Sequence, residues 1–246
     1  MLKPRIIPTL LLKGRGLVKG EKFKDHRYVG DPINAVKIFN DKKADELVFL
    51  DITATSEGRI PDLKHIQEIA DEAYMPFAVG GGLRTVEDVG KVLRAGAEKV
   101  CINTACVEKP EVIGEAASQY GNQSIVASID ARKKMLGGYE AVTHSGKKKT
   151  GLNPVEHAGR MVSLGAGEVM ITSIQSEGGM QGYDLELVKE IAEAVDVPVI
   201  ASGGAGNTTH LKEAIKAGAS AAAAGSMLVF HGKRRAVLIS YPEGVF

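Results

Sequence analysis

An α/β fold, closed as a single (β/α)8 TIM barrel, is predicted by three observations. Eight short apolar runs alternate with amphipathic segments, the 246-residue length suits one such barrel, and the first half of the pattern recurs in the second. The apolar runs are residues 5–12, 46–52, 76–79, 99–103, 124–130, 168–173, 198–202 and 220–225. Rich in small and β-branched residues, each reads as a strand buried on both faces. Between them, residues 32–40, 62–73, 85–95, 110–120, 154–164, 184–194 and 208–217 carry helical spacing. Asp31-Pro32 and Asn153-Pro154 are start signals: a side-chain acceptor at the cap, then a proline whose missing N–H has no partner to lose there. No Pro/Gly/Ser-rich linker breaks the alternation, so residues 1–246 read as one domain of two half-barrels, about 1–122 and 123–246. After the eighth run, residues 230–242 leave little room for a full eighth helix, and a shortened C-terminal helix is expected.

Composition narrows the function classes. With 31 basic and 30 acidic side chains, the formal net charge of +1 gives no electrostatic footprint for nucleic acid or an anionic membrane. Lys147-Lys148-Lys149 reads as a solvated loop. No apolar run approaches the ~18 residues that span a bilayer, and the N-terminal residues lack a signal-peptide pattern, so the cytoplasm is the expected compartment. Cys101 and Cys106 lie in apolar stretches and are expected as buried, reduced thiols. His26, His65, His144, His157, His210 and His231 lack metal-ligand spacing and read as loop or helix-surface residues, with His144 placed nearest the barrel mouth. Neither a metal nor a cofactor is expected.

Three long segments follow strands, on the face where barrel enzymes build their sites. Residues 14–30 form a long basic loop with several glycines, 131–150 a small hairpin turning at Gly137-Gly138, and 175–183 a further loop. The repeat gives this face chemical content. Pro76-Phe-Ala-Val-Gly-Gly-Gly82 matches Pro198-Val-Ile-Ala-Ser-Gly-Gly204, and 198 − 76 = 122. The same offset carries Gly81 onto Gly203, Gly82 onto Gly204, Asn103-Thr104 onto Gly225-Ser226, Glu46 onto Glu168 and Asp51 onto Ser173. Glycine pairs and small polar residues beside helix N-termini offer N–H groups and hydroxyls to an anion. Gly203, Gly204, Gly225 and Ser226 stand where such barrels usually bind phosphate. The repeat implies a second site at Gly81, Gly82, Asn103 and Thr104, which suits an elongated substrate with a phosphate at each end.

Two asymmetries remain. Matching residues 5–11 with 124–130 superposes Leu11 on Asp130. A carboxylate at a strand end in the mouth is a candidate acid/base, yet its counterpart is apolar. At the other face Arg5, Glu46, Lys99 and Glu168 begin strands. They read either as surface charge or as a ring of ion pairs plugging the axis, and a plug that opens is useful only if something small enters there.

These residues carry a resemblance. Arg5-Ile-Ile-Pro8, Leu17-Val-Lys-Gly20, Asp45-Glu-Leu-Val-Phe-Leu-Asp-Ile-Thr-Ala54, Val79-Gly-Gly-Gly82 and Ile102-Asn-Thr-Ala105 resemble the cyclase subunit of imidazole glycerol phosphate synthase. Ser128-Ile-Asp-Ala131, Ser145-Gly-Lys-Lys148, Thr172-Ser-Ile174 and Ala201-Ser-Gly-Gly-Ala-Gly206 extend it over nearly the whole chain. The resemblance implies a barrel paired with a HisH-like glutaminase at its N-terminal face. Ammonia would enter through the floor and react at the mouth with a bisphosphate ribonucleotide, giving imidazole glycerol phosphate and an aminoimidazole carboxamide ribonucleotide. It makes Asp130 a catalytic acid/base, Lys19 the lysine of a mobile loop that closes the site, Asp51 a mouth residue, and Arg5, Glu46, Lys99 and Glu168 an ammonia gate.

The departures are informative. Leu11 replaces the family's second catalytic Asp, Lys-Asp-Gly-Arg is here Lys13-Gly14-Arg15-Gly16, and Asp-Arg-Asp-Gly-Thr is Gln175-Ser-Glu-Gly-Gly179. Glu177 thus keeps a carboxylate and joins the catalytic candidates, while Gly179 loses a hydroxyl. With Lys22-Phe23-Lys24 and residues 29–39, these changes resemble a paralogous branch associated with amidation of surface sugars. There the barrel relays ammonia to a separate sugar-amidating enzyme, and the small-molecule substrate is a bisphosphate or a nucleotide sugar. The other readings are a genuine cyclase of histidine biosynthesis, a phosphosugar isomerase barrel, and a non-catalytic scaffold or ammonia conduit that activates the glutaminase.

Overall fold

The computed structural model describes residues 3–232 and 234–246. The first half of the chain forms β1 (Arg5–Lys13), β2 (Gly16–Glu21), β3 (Lys24–Gly30), α1 (Pro32–Asp41), β4 (Leu47–Asp51), α2 (Leu63–Glu72), β5 (Phe77–Gly80), α3 (Val86–Arg94), β6 (Lys99–Ile102), α4 (Thr104–Glu108) and α5 (Glu111–Tyr120). The second half forms β7 (Ile125–Lys133), β8 (Tyr139–Thr143), β9 (Lys148–Lys149), α6 (Pro154–Ser163), β10 (Glu168–Ser173), α7 (Leu185–Ala194), β11 (Val199–Ser202) and α8 (Thr208–Lys216). It ends with β12 (Ala221–Ala224), α9 (Ser226–Val229), β13 (Phe230–His231) and β14 (Ala236–Val237).

Strands β1, β4, β5, β6, β7, β10, β11 and β12 pair in parallel in that order, and β12 returns to β1 with Arg5 opposite Ala221. The sheet is therefore a closed (β/α)8 barrel, as the alternation predicts. Each strand buries both faces. Outward side chains such as Phe49 and Phe77 join helix side chains such as Phe39 and Ile113 in the layer between sheet and helices. Inward ones, Ile7, Val48, Ala78, Cys101, Val126, Met170, Ile200, Ala221 and Ala223, fill the middle of the barrel. Both cysteines are buried and unpaired, and burial pushes their thiols up, Cys106 to about 12, so neither is a thiolate near neutral pH.

The helix starts repeat with the sheet. Asp31 accepts from the Asn34 N–H at 3.0 Å and Asn153 from the Val155 N–H at 2.8 Å, each before a proline. Asp62 and Asp184 cap α2 and α7, and Thr85 and Asn207 cap α3 and α8. The differences 153 − 31, 184 − 62 and 207 − 85 are all 122, the offset of the sequence repeat. The two halves therefore start corresponding helices by the same device, a side chain satisfying otherwise unpaired first-turn N–H groups.

Three expectations change. Residues 14–30 are not a loop: β1 runs into β2, and β2 pairs antiparallel with β3, forming a hairpin over the mouth. Leu17, Val18 and Val29 are buried in it, an apolar signal hidden among basic residues and glycines. His65 and His157 are not surface residues but are each only 5% exposed beneath α2 and α6, and burial pushes both imidazoles down, toward neutrality. The third change concerns His26 and His144, described with the site. The 131–150 hairpin forms as expected, with the Lys134 N–H donating to the Gly138 carbonyl at 2.9 Å.

After β12 the last helix is a single turn, and an extended tail covers the sheet instead. The Tyr241 hydroxyl accepts from the Asp45 N–H at 3.1 Å and lies 3.1 Å from the Ile6 carbonyl, which stitches the tail to the floor ends of β1 and β4. Its ring meets Phe39 edge-on at 6.4 Å. Tyr241→Phe keeps that packing but leaves the Asp45 N–H without its acceptor, so it should cost roughly 1–2 kcal/mol in urea denaturation. An unchanged midpoint would show that the ring alone holds the tail.

Candidate active site

At the mouth the inward positions turn polar. Thr9 and Leu11 of β1, Leu50 and Asp51 of β4, Ser128 and Asp130 of β7, Thr172 of β10 and Ser202 of β11 line a cavity of about 330 Å³. Strand register shows how the halves correspond. Leu11 stands opposite Leu50, and Asp130 stands opposite Thr172, which lies 122 positions after Leu50. At the other end of these strands Ile6 pairs with Ala222 and Ile125 with Val100, again 122 apart. Leu11 and Asp130 therefore occupy the same place in the two halves.

Asp130 sits among protein atoms, held by the Asn103 side-chain amide, which donates to its carboxylate at 3.3 Å and to the Ser128 carbonyl at 2.9 Å. Burial, with a smaller contribution from the charge of Glu177, pushes its carboxyl up to about 7. Glu177 is also pushed up by burial, against the pull of Lys19, and its carboxylate accepts from the Phe23 N–H at 3.4 Å. Burial brings the Lys19 ammonium down to about 8 despite the opposing charge of Glu177. Lys19 donates to the Thr9 carbonyl and rests against Gly225, where any side chain would collide with it. The mouth thus brings together an acid and a base, both near neutrality, with a second carboxylate that acts on both.

Asp51 lies in the mouth with its oxygens already committed. It accepts from the Thr53 N–H, the Thr53 hydroxyl and the Ala54 N–H, each at 3.1 Å, and from Arg59 at 2.6 Å. This carboxylate orders the loop after β4. Nearby, a Cβ on Gly81 would strike the Asp51 carbonyl and one on Gly203 would strike the Ser173 carbonyl, the same contact in each half. Gly81, Gly82, Asn103 and Thr104 line one side of the cavity, and Gly203, Gly204, Gly225 and Ser226 line the other.

At the floor, Arg5, Glu46, Lys99 and Glu168 meet in one ring. Arg5 pairs with Glu46 and, at 3.0 Å, with Glu168; Lys99 reaches Glu46 at 2.9 Å and Glu168 at 3.2 Å. The second oxygen of Glu168 is buried with no hydrogen-bond partner among the described residues.

Sequence reasoning missed part of the mouth. His26 and Phe23 of the β2–β3 hairpin line the cavity, as do Lys13, Arg84 and Lys147, the last read as solvated loop. His144 is outside the cavity lining, its ring 3.1 Å from the Thr143 hydroxyl and 3.8 Å from Glu108. Strand alternation would not have found His26: Lys19 pairs with Arg27, and a register shift between Lys19 and Glu21 is what brings His26 to the cavity. Among the described residues no helix is long and apolar enough to cross a membrane, and no three His, Cys, Asp or Glu side chains are grouped to hold a metal.

A closed eight-stranded barrel whose halves repeat, with titratable groups at the C-terminal strand ends, defines a (β/α)8 barrel of the half-barrel-repeat type. The family model described as histidine biosynthesis protein matches residues 5–234, and the chain belongs to that family. It is 46% identical over 245 residues to a putative imidazole glycerol phosphate synthase subunit HisF of Leptospira interrogans, covering 99% of this chain and 96% of the relative. A putative subunit hisF2 of the same synthase from Pseudomonas aeruginosa is 47% identical over 244 residues, 99% and 97% of the two chains. The imidazole glycerol phosphate synthase subunit HisF of Streptomyces coelicolor is 45% identical over 230 residues, 94% and 91%.

The raised pKa of Asp130 has a stability consequence. Between its ordinary value of 3.8 and about 7, the folded state holds a proton that the unfolded chain has lost, so stability falls as pH rises through that window. Asp130→Asn should therefore match the parent near pH 3.5 and exceed it by roughly 1–2 kcal/mol near pH 8. Denaturation at the two pH values checks this; a difference that does not change with pH would show that Asp130 ionises freely.

Proposed function

We propose that this chain is the ammonia-using synthase subunit of a glutamine amidotransferase, of the imidazole glycerol phosphate synthase type, working in the branch that delivers ammonia for sugar amidation. The carrying observation is an asymmetry: Leu11 occupies the place that Asp130 holds in the other half, while the floor ring is complete. Leucine neither takes nor gives a proton, so a reaction needing two opposed carboxylates is impaired, whereas passage from floor to mouth is untouched.

The ring supports passage more than stability. Desolvating four charges offsets most of the Coulombic gain, and an apolar plug of similar volume would hold the barrel as well. A ring of alternating sign can open pairwise, and the unpartnered Glu168 oxygen is an acceptor for an N–H arriving from a glutaminase docked on this face. Above it a path along the axis has to open past Ile7, Val48, Val126, Met170 and Ile200 as well as the small Ala78, Cys101, Ala221 and Ala223 before it reaches Thr9, Ser128, Thr172 and Ser202. At the mouth the two glycine rims take the phosphates of a bisphosphate or nucleotide-sugar compound, where the buried Ser226 hydroxyl, without a partner among the described residues, is a donor. Lys19 closes over one of them. A separate sugar-amidating enzyme would consume the ammonia that leaves.

One observation favours a second reading, a working cyclase. Glu177 shares the mouth with Asp130, and its charge adds to the burial that pushes the Asp130 carboxyl up, so it can serve as the second acid/base. Leu11→Asp separates the two. In the relay reading it should raise ammonium-dependent cyclase activity on the bisphosphate ribonucleotide at least tenfold from a near-zero level. Robust activity in the parent chain would overturn the relay reading. A second variant tests the floor: Lys99→Met should lower glutamine-dependent product formation about tenfold while leaving ammonium-dependent turnover within twofold, as free ammonium reaches the mouth directly. Equal loss in both assays would count against a gate.

A further inference from the structure

The segment that replaces the eighth helix does more than cover the barrel. Phe230 pairs with Val237 and His231 with Ala236, and the Leu238 N–H returns to the Val229 carbonyl at 2.8 Å, so β13 and β14 form a short loop anchored on α9. Arg235 stands at the tip of that loop with a left-handed backbone, φ 49°. One arm of its guanidinium pairs with Glu21 at the turn of the β2–β3 hairpin. Its other arm donates to the Gly178 carbonyl at 3.1 Å, in the loop that carries Glu177. Arg27, on the same hairpin, donates to the Arg235 carbonyl and stacks over the Phe230 ring at 4.2 Å. The hairpin turn also meets the loop directly, with the Lys22 N–H donating to the Glu177 carbonyl at 3.1 Å.

We infer that Arg235 is a positioning residue for the mouth: the C-terminal loop latches the β2–β3 hairpin to the Glu177 loop and so holds Lys19 and His26 over the cavity. The geometry is selective. A planar guanidinium presents two parallel donors, and here one takes a carboxylate of the hairpin and the other a carbonyl of the loop. No lysine could bridge both. Arg235 is not itself part of the cavity lining; it acts through Gly178, which is, and through Glu21, two residues along the same strand from Lys19. An open hairpin would bring water to Lys19, and the burial that lowers its ammonium would be lost. Glu177 acts on Lys19 directly, and Lys13, Asp51, Arg84, Asp130, Lys147 and the hairpin's own His26 share the cavity with it.

The consequence for turnover rests on the function proposed above, but the hairpin's behaviour does not, so the two can fail separately. The test uses the full chain without ligand. Arg235→Ala should speed amide hydrogen exchange across Gly16–Glu21 and Lys24–Gly30 about tenfold and leave the barrel strands unchanged. The titration midpoint of Lys19, followed by side-chain nitrogen resonance, should move upward from near 8. Arg235→Lys should fall between, and Glu21→Gln should reproduce the hairpin effect without touching the C-terminal loop. Arg234→Ala, at the neighbouring exposed position, should change nothing. Unaltered hairpin exchange in Arg235→Ala would overturn the inference. So would uniformly faster exchange over the whole barrel with a fixed Lys19 midpoint, since that is what a merely structural residue would give.

Discussion

The register of eight parallel strands is the constraint on which this molecule depends. A closed barrel lets every second side chain point inward, and pairing fixes the height of each one. On β1 the inward series is Arg5, Ile7, Thr9, Leu11, which runs from floor ring through apolar middle to mouth. A slip of one residue in β1 would send all four outward and break the ring, the middle layer and the rim together. The ring at one end and the acid/base groups at the other are therefore set by a single geometric choice, made strand by strand.

Within that frame the interior grades from charge to apolar to mixed, and desolvation shapes each level differently. Floor charges are each held by opposite ones. At the mouth, Asp130 has only an amide donor and a like-charged neighbour, so its proton is retained toward neutral pH. Lys19 is moved in the opposite sense by the same burial. A leucine across the barrel from Asp130 adds no charge and no hydrogen bond, leaving the mouth acidic on one side and apolar on the other.

Much of this was legible in the amino-acid order. Strand and helix positions followed from periodicity, since strands buried on both faces leave short apolar runs between polar-faced helices, and caps such as Asp31 and Asn153 mark the starts. Leu11 and Asp130 are 119 positions apart rather than 122, so the first strands of the two halves had to be matched separately. Their correspondence is visible in the register because their partners Leu50 and Thr172 do keep the offset of 122. Other features were hidden for physical reasons. The β2–β3 hairpin has one face over solvent and carries charges where a strand signal would show apolar residues. The commitment of Asp51 to Arg59 depends on a loop conformation that no spacing reveals. The Arg235–Glu21 pair joins positions 214 residues apart, and nothing local to either marks the other.

The closure of β12 against β1 also has a meaning in time. β1 is the first barrel strand made and β12 the last, so throughout synthesis one edge of β1 keeps its hydrogen-bonding groups unpaired. The first half-barrel, with its own caps and apolar layers, can gather early, yet it carries an open sheet edge that is an invitation to wrong pairing. The run Ala221–Ala224 that finally fills this seam has small side chains, well suited to sliding into a gap between strands already in place. Tyr241 then ties the tail to the floor ends of β1 and β4, on the other side of β1 from this seam. The molecule is thus sealed at its oldest and newest strands, and the time that the ribosome takes to travel between them is the interval in which this fold is most exposed to aggregation.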